Sequence, residues 1–184
     1  DIDSEEAEEV VKFDKLKISG LHYKTSSIHA ENNGHGTVFT LNFENGKQSI
    51  LTGGPLNGSY ILHSFHYHWP SEHTVNGHHF DAEVHFVHYK SDYGNLKSAI
   101  EKSDGLAVIG FPYKVQSSWD DNYFNLFEII YDLHEPNGQI LYNETSTSLS
   151  EIIGNDLFSF YSYSGSLTTP KCSESVTWIV GNFK

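Results

Sequence analysis

The pair His66-x-His68 and a third histidine, His85, supply residue types and a spacing from which a metal centre can be built. Alternate side chains of an extended strand share a face. His66 and His68 therefore point one way, and Phe65, Tyr67 and Trp69 the other. Over Phe80–Tyr89 the same rule groups Glu83, His85 and Val87 on one face and Val84, Phe86 and His88 on the other. A polar segment joins the two stretches, as suits neighbouring antiparallel strands. With the faces matched, His66, His68 and His85 converge. Three neutral imidazoles that leave a fourth position open make a catalytic rather than a structural zinc site. Glu83 shares the face of His85 two residues away, so it is placed to accept that ring's other N–H and fix its tautomer.

A bland reading also fits: alternating histidines occur as satisfied polar residues on half-buried strands. The third histidine and the carboxylate favour the metal. His63, His78, His79 and His88 are local competitors. His78 and His79 fall in a turn and His88 has the wrong parity, so they stay unassigned. A rival pattern is His66-x-His68-x-x-x-Glu72, preceded by Gly58 and followed by Gly77, which approximates the first metal motif of the cupins. There Glu72 would itself be a ligand. The second cupin motif is missing, because His134-Glu135-Pro136 lacks the required order, and the zinc-protease pattern His-Glu-x-x-His is absent.

The elements that must hold these residues are mainly strands. Val10–Ile18, Thr37–Phe43, Tyr60–Trp69, Phe80–Tyr89, Leu106–Tyr113 and Ser175–Val180 are rich in β-branched and aromatic residues and bounded by Gly, Asn or Pro. Glu44-Asn45-Gly46 and Gly53-Gly54-Pro55 are turn signals. Asp120–Leu133 spaces Phe124, Phe127, Ile130 and Leu133 as a helix does, and shorter helices are expected around Asn95–Lys102 and Ser148–Ile153. The expectation is a mainly β domain with peripheral helices (α+β), one unit over residues 1–184.

Composition narrows the function. Of 184 residues 38% are hydrophobic and 14% aromatic, enough to fill a core. A formal net charge of −13 argues against a nucleic-acid surface and suits a small-molecule substrate. The longest apolar runs, such as Leu106–Phe111, are too short to cross a bilayer. Cys172 is the only cysteine, which excludes a cysteine-rich zinc site and an internal disulfide. The chain opens on the acidic stretch Asp1–Glu9 with no signal peptide, and Asn57-Gly58-Ser59 and Asn143-Glu144-Thr145 are glycosylation sequons.

Longer motifs carry a family resemblance. Ser64-Phe65-His66-Tyr67-His68-Trp69 followed by Ser71-Glu72-His73-Thr74-Val75 resembles the α-class carbonic anhydrases. So do Ala82-Glu83-Val84-His85-Phe86-Val87-His88 and Gly165-Ser166-Leu167-Thr168-Thr169-Pro170 running into Val176-Thr177-Trp178-Ile179-Val180. Asn32-Asn33-Gly34-His35, Gly53-Gly54-Pro55-Leu56 and Gly105-Leu106-Ala107-Val108-Ile109-Gly110 match in order.

The resemblance implies a large twisted mixed sheet and reversible hydration of carbon dioxide to bicarbonate through zinc-bound hydroxide. Zn2+ would be held by His66, His68 and His85, with Glu83 behind them. Thr168 would orient the hydroxide and pass its own proton to an ionised Glu72, and His35 would shuttle protons to solvent. Val87, Val108, Leu167, Thr169 and Trp178 would line the substrate pocket. Ser64 stands where the family usually has a glutamine bonded to the first zinc histidine. By the same resemblance both ends of the domain are missing, and Cys172 takes the place of a cysteine that pairs near the N-terminus in extracellular members. Together with the sequons, that gives the expectation of a secreted or surface protein. A binding module that keeps the fold without activity is the alternative, although such members typically lose zinc histidines.

Overall fold

The computed structural model describes residues 1–8, 13–114, 126–143, 146–153 and 159–181. In chain order its strands are β1 (Lys17–Ser19), β2 (Thr25–Asn32), β3 (Thr37–Phe43), β4 (Ile50–Thr52), β5 (Tyr60–His68), β6 (Thr74–Val75), β7 (His78–His79), β8 (Ala82–Lys90), β9 (Leu106–Tyr113), β10 (Gln139–Asn143), β11 (Phe160–Gly165) and β12 (Val176–Gly181). The helices are α1 (Leu96–Ala99), α2 (Leu126–Asp132) and α3 (Leu149–Ile153). Residues 120–125 of the expected long helix and residues 10–12 of the expected strand Val10–Ile18 lie outside the described residues; of the rest of that strand, residues 13–16 are not extended into the sheet and only Lys17 and Ile18 fall in β1.

A ten-stranded mixed sheet organises the molecule in the order β10-β2-β3-β5-β8-β9-β12-β11, with β4 pairing β1 and β5. The β9–β12 pair is parallel and the other described pairs are antiparallel. β9 is buried along nearly its whole length, as a strand covered on both faces should be, and so reads as a continuous apolar run. β3 shows the alternative pattern: Thr37, Phe39, Leu41 and Phe43 are buried while the residues between them are not.

The sheet has a distinct cluster on each face. One is aromatic, with Phe39 stacked on Phe65 at 4.9 Å and Phe65 on Phe86 at 5.4 Å, joined by Val84, Ala107, Ile109, Phe111 and Ile179. The other is smaller and gathers Val87, Leu106, Val108, Val176 and Trp178, with Leu167 packed against them. α2 and α3 pack against the aromatic cluster and α1 against the smaller one. Asn95 caps α1 by accepting the Ser98 N–H at 2.9 Å, and Glu151 accepts the Ser148 N–H at 2.7 Å at the start of α3.

Candidate metal centre

The β5–β8 register decides which side chains meet. His66 lies opposite His85, His68 opposite Glu83, and Ser64 opposite Val87. A β-bulge at His63 separates these pairs from Leu62, which lies opposite His88. The histidine face and the aromatic face therefore fall where strand parity put them. Across the sheet, the His66–His85 row continues into Gly110 of β9, and the Ser64–Val87 row into Val108, Trp178 and Tyr163.

His66, His68 and His85 bring one ring nitrogen each to within 4.8 Å of one another. Their ring centroids are 4.9 Å (His66 to His68), 5.3 Å (His66 to His85) and 4.6 Å (His68 to His85) apart. Burial, then the neighbouring rings of His85 and His68, push the His66 imidazole down to about 3, which keeps it neutral. Burial and His85 push His68 in the same direction. Neutral imidazoles are the form that binds a metal. His68 Nε2 is buried without a hydrogen-bond partner; among the described residues only His88 Nε2, on the other face, shares that condition. A buried nitrogen left unpaired beside two further ring nitrogens is what a zinc ligand looks like before its ion is counted. The donor set therefore fits zinc.

The support behind His85 is fuller than parity implied. His85 Nε2–H donates to Glu83 Oε1 at 2.8 Å, which leaves Nδ1 facing the other two rings. The same oxygen accepts from His73 Nδ1–H at 2.5 Å, and Glu83 Oε2 accepts the His73 backbone N–H at 2.8 Å. Tyr163 O–H donates to His73 Nε2 at 2.6 Å. Glu83 is fully buried. Burial by itself would raise its carboxyl, but the hydrogen bonds from His73 and then His85 outweigh it and hold the group well below the usual carboxylate range. Burial, with the charges of Glu83 and Glu72, pushes the Tyr163 phenol up to about 12. His73 and Tyr163 were not singled out in the sequence. They lie 90 residues apart and meet only because β11 closes the sheet beside β12.

The remaining expected residues are placed unevenly. Glu72 Oε2 stands 3.4 Å from His68 Nε2 and 3.8 Å from His85 Nδ1. Val87, Val108, Leu167 and Trp178 share one cluster on the histidine face, and Trp178 sets its ring edge-on to His85 at 4.8 Å. Thr168 is exposed and Thr169 half-buried in the segment after β11, and no hydrogen bond joins Thr168 to Glu72 among the described residues. His35 is exposed in an Asn33 turn that leads into β3, three residues before Val38, which lies opposite His66. Ser64 is buried, and its Oγ bonds to His63 Nδ1 at 2.9 Å rather than to His66. Of the unassigned histidines, His78 and His79 form the short strand β7, and His88 is buried in the core.

Comparison with known proteins agrees with this geometry. The family model for eukaryotic-type carbonic anhydrase matches residues 1–183. Carbonic anhydrase 1 of Oryctolagus cuniculus is 36% identical over 179 residues, spanning 92% of this chain and 74% of that protein. The mitochondrial carbonic anhydrase 5A of Homo sapiens is 34% identical over 177 residues, spanning 90% of this chain but only 55% of that protein. These relatives overturn the expectation of a secreted or surface protein, since neither is a secreted form and one is named as mitochondrial. That expectation rested on Cys172 and two sequons. Cys172 is an exposed free thiol, and triplet sequons arise often by chance. The cupin reading falls with the family match.

Proposed function

The chain belongs to the eukaryotic-type carbonic anhydrases, and from that premise we propose that it binds zinc through His66, His68 and His85 and hydrates carbon dioxide reversibly to bicarbonate and a proton. The observation that carries the reading is the meeting of three ring nitrogens within 4.8 Å across the β5–β8 pair, two of the rings pushed towards the neutral form and one nitrogen left unpaired. Zinc in such a site lowers the pKa of water to about 7, a value for which carbonic anhydrase is itself the reference case, and so supplies a nucleophile near neutral pH.

The chain's own residues do the rest. Glu83 holds the His85 ring with Nδ1 towards the centre, so the ligand lone pair is aimed without reorganisation. The apolar strip of Val87, Val108, Leu167 and Trp178 keeps water from the face where carbon dioxide is received, and the family resemblance adds Thr169 to that pocket. By the family resemblance Thr168 would donate its hydroxyl proton in a hydrogen bond to an ionised Glu72, a bond that is not formed among the described residues and that the zinc-loaded site would have to make. Thr168 then has only an accepting role left, and that orients the attacking oxygen. His35, exposed near the end of the β2–β3 turn, accepts the released proton and passes it to solvent. A single catalytic domain over residues 1–184 with no nucleic-acid partner is part of the same reading. The alternative, an inactive binding module, is disfavoured because all three histidines are present.

Metal analysis and a carbon dioxide hydration assay on the wild-type chain and His85→Ala test the proposal. Stoichiometric zinc with sulfonamide-sensitive hydration is expected, both lost in His85→Ala. Stoichiometric zinc without hydration would leave the binding module as the better reading.

A further inference from the structure

Gly110 sits in the middle of β9, between the buried apolar residues Ile109 and Phe111, directly opposite His85. Its φ is outside the left-handed range, so the backbone does not require glycine. Glycine inside a strand loses conformational entropy on folding and packs nothing. The reason for it lies above the backbone. A Cβ at this position would stand 2.8 Å from Glu83 Oε1, 3.6 Å from His85 Cδ2 and 3.8 Å from the Glu83 carboxyl carbon. Glu83 Oε1 is the oxygen that accepts both His85 Nε2–H and His73 Nδ1–H.

We propose that Gly110 is a positioning residue for the metal centre, its missing side chain forming the seat in which the Glu83 carboxylate lies so that it orients both histidine rings. The contact at 2.8 Å is closer than a methyl group tolerates, and the carboxylate is the mobile end of a side chain. A methyl at position 110 is therefore accommodated by moving the carboxylate, and the two hydrogen bonds are lost with it. The backbone pairing of β8 and β9 is left in place. The zinc consequence rests on the reading of His66, His68 and His85 as ligands; the seat for Glu83 does not.

The test compares Gly110→Ala, Glu83→Ala and the double variant with wild type. In the metal-free chain, nitrogen-edited proton NMR observes the His85 Nε2–H and His73 Nδ1–H signals, which Gly110→Ala should lose to solvent exchange while circular dichroism stays native. In the zinc-loaded chain, Gly110→Ala should release zinc to a chelator roughly 10–100-fold faster, the range for loss of such a supporting partner. The double variant should release it no faster than Glu83→Ala alone. Unchanged ring N–H signals in Gly110→Ala overturn the proposal, as does a further acceleration in the double variant. If Gly110→Ala fails to fold, adding Glu83→Ala must restore the fold, and failure to do so also overturns it. If the wild type takes up no zinc, the zinc reading fails while the metal-free signals still decide the seat.

Discussion

On β8, His85 and Phe86 are neighbours in sequence and look to opposite sides of the sheet. Phe86 stacks on Phe65 and meets Phe111 edge-on at 6.1 Å, in contacts that depend on shape and area alone. His85 is equally buried, yet it is held by a directed bond to a buried carboxylate and stands among rings that oppose one another's protonation. The aromatic face stabilises the fold by removing apolar surface from water, a force without direction. The histidine face puts polar groups out of water, so each must find a partner or a metal. One face makes the molecule stable; the other aims a small set of atoms and stays sensitive to protons.

That contrast can be broken at four points, taken in order of their expected effect on stability. Phe86→Ala should cost about 3–5 kcal/mol in denaturant unfolding of the metal-free chain. His85→Ala, one residue away, should abolish zinc binding at a smaller cost. Equal costs would erase the distinction between the faces.

His88 is the exception on the aromatic face, and it tests the contrast by pH. Burial pushes its ring down to about 4, against the pull of the Phe86 and Ala107 backbones. In the unfolded chain the ring takes a proton near 6.5, so below that value the unfolded state binds more protons than the folded one. The contribution is therefore fully present above pH 6.5 and is lost as pH falls towards 4, by about 3 kcal/mol. His88→Leu should flatten that part of the stability–pH curve in chemical denaturation. A curve unchanged by the substitution would remove His88 from the proton balance.

Ser64→Gln sharpens the histidine face. The serine hydroxyl is engaged by His63 at 2.9 Å and not by His66, where the family resemblance implies a glutamine carboxamide. The longer side chain should reach the His66 ring and slow zinc release by roughly 10-fold, about 1.4 kcal/mol. No change in release would mean that His66 is already held. Thr168→Val should have the least effect on folding, within about 0.5 kcal/mol because the residue is exposed. Its hydration rate should nonetheless fall roughly 10²-fold or more, as for loss of a positioned proton-handling group. A variant with normal turnover would take Thr168 out of the reaction.

Much of this was legible because burial on both faces writes itself into sequence. Thr37–Phe43 and Leu106–Tyr113 were read with the bounds that β3 and β9 have, and the histidine-bearing strands β5 and β8 came within two residues at each end. β2, β10 and β11 were not seen. Their sequences, TSSIHAEN, QILYN and FYSYSG, mix serine, asparagine and histidine into positions that only sheet neighbours cover. The meeting of His66, His68, His85 and Glu83 was readable because strand parity is local. His73 and Tyr163 were not, because their meeting depends on the long-range return of β11. Gly110 entered only through a matched motif, because the atom a Cβ there would meet, Glu83 Oε1, belongs to another strand and no alternation along β9 reveals it.

The bulge at His63 carries a consequence for how this strand tolerates change. Counting back by twos from His66 puts Tyr60 and Leu62 on the metal side, yet both pack with the aromatic cluster, because the extra residue shifts the phase. β5 is thus two half-strands written in different frames and spliced at one residue. Removing His63 would join the frames without changing which side chains either half presents, because Leu62 and Ser64 would then be consecutive residues opposite the consecutive His88 and Val87. Substitution upstream of the splice can follow the needs of the core, and substitution downstream the needs of the metal, with neither bound to the other's alternation.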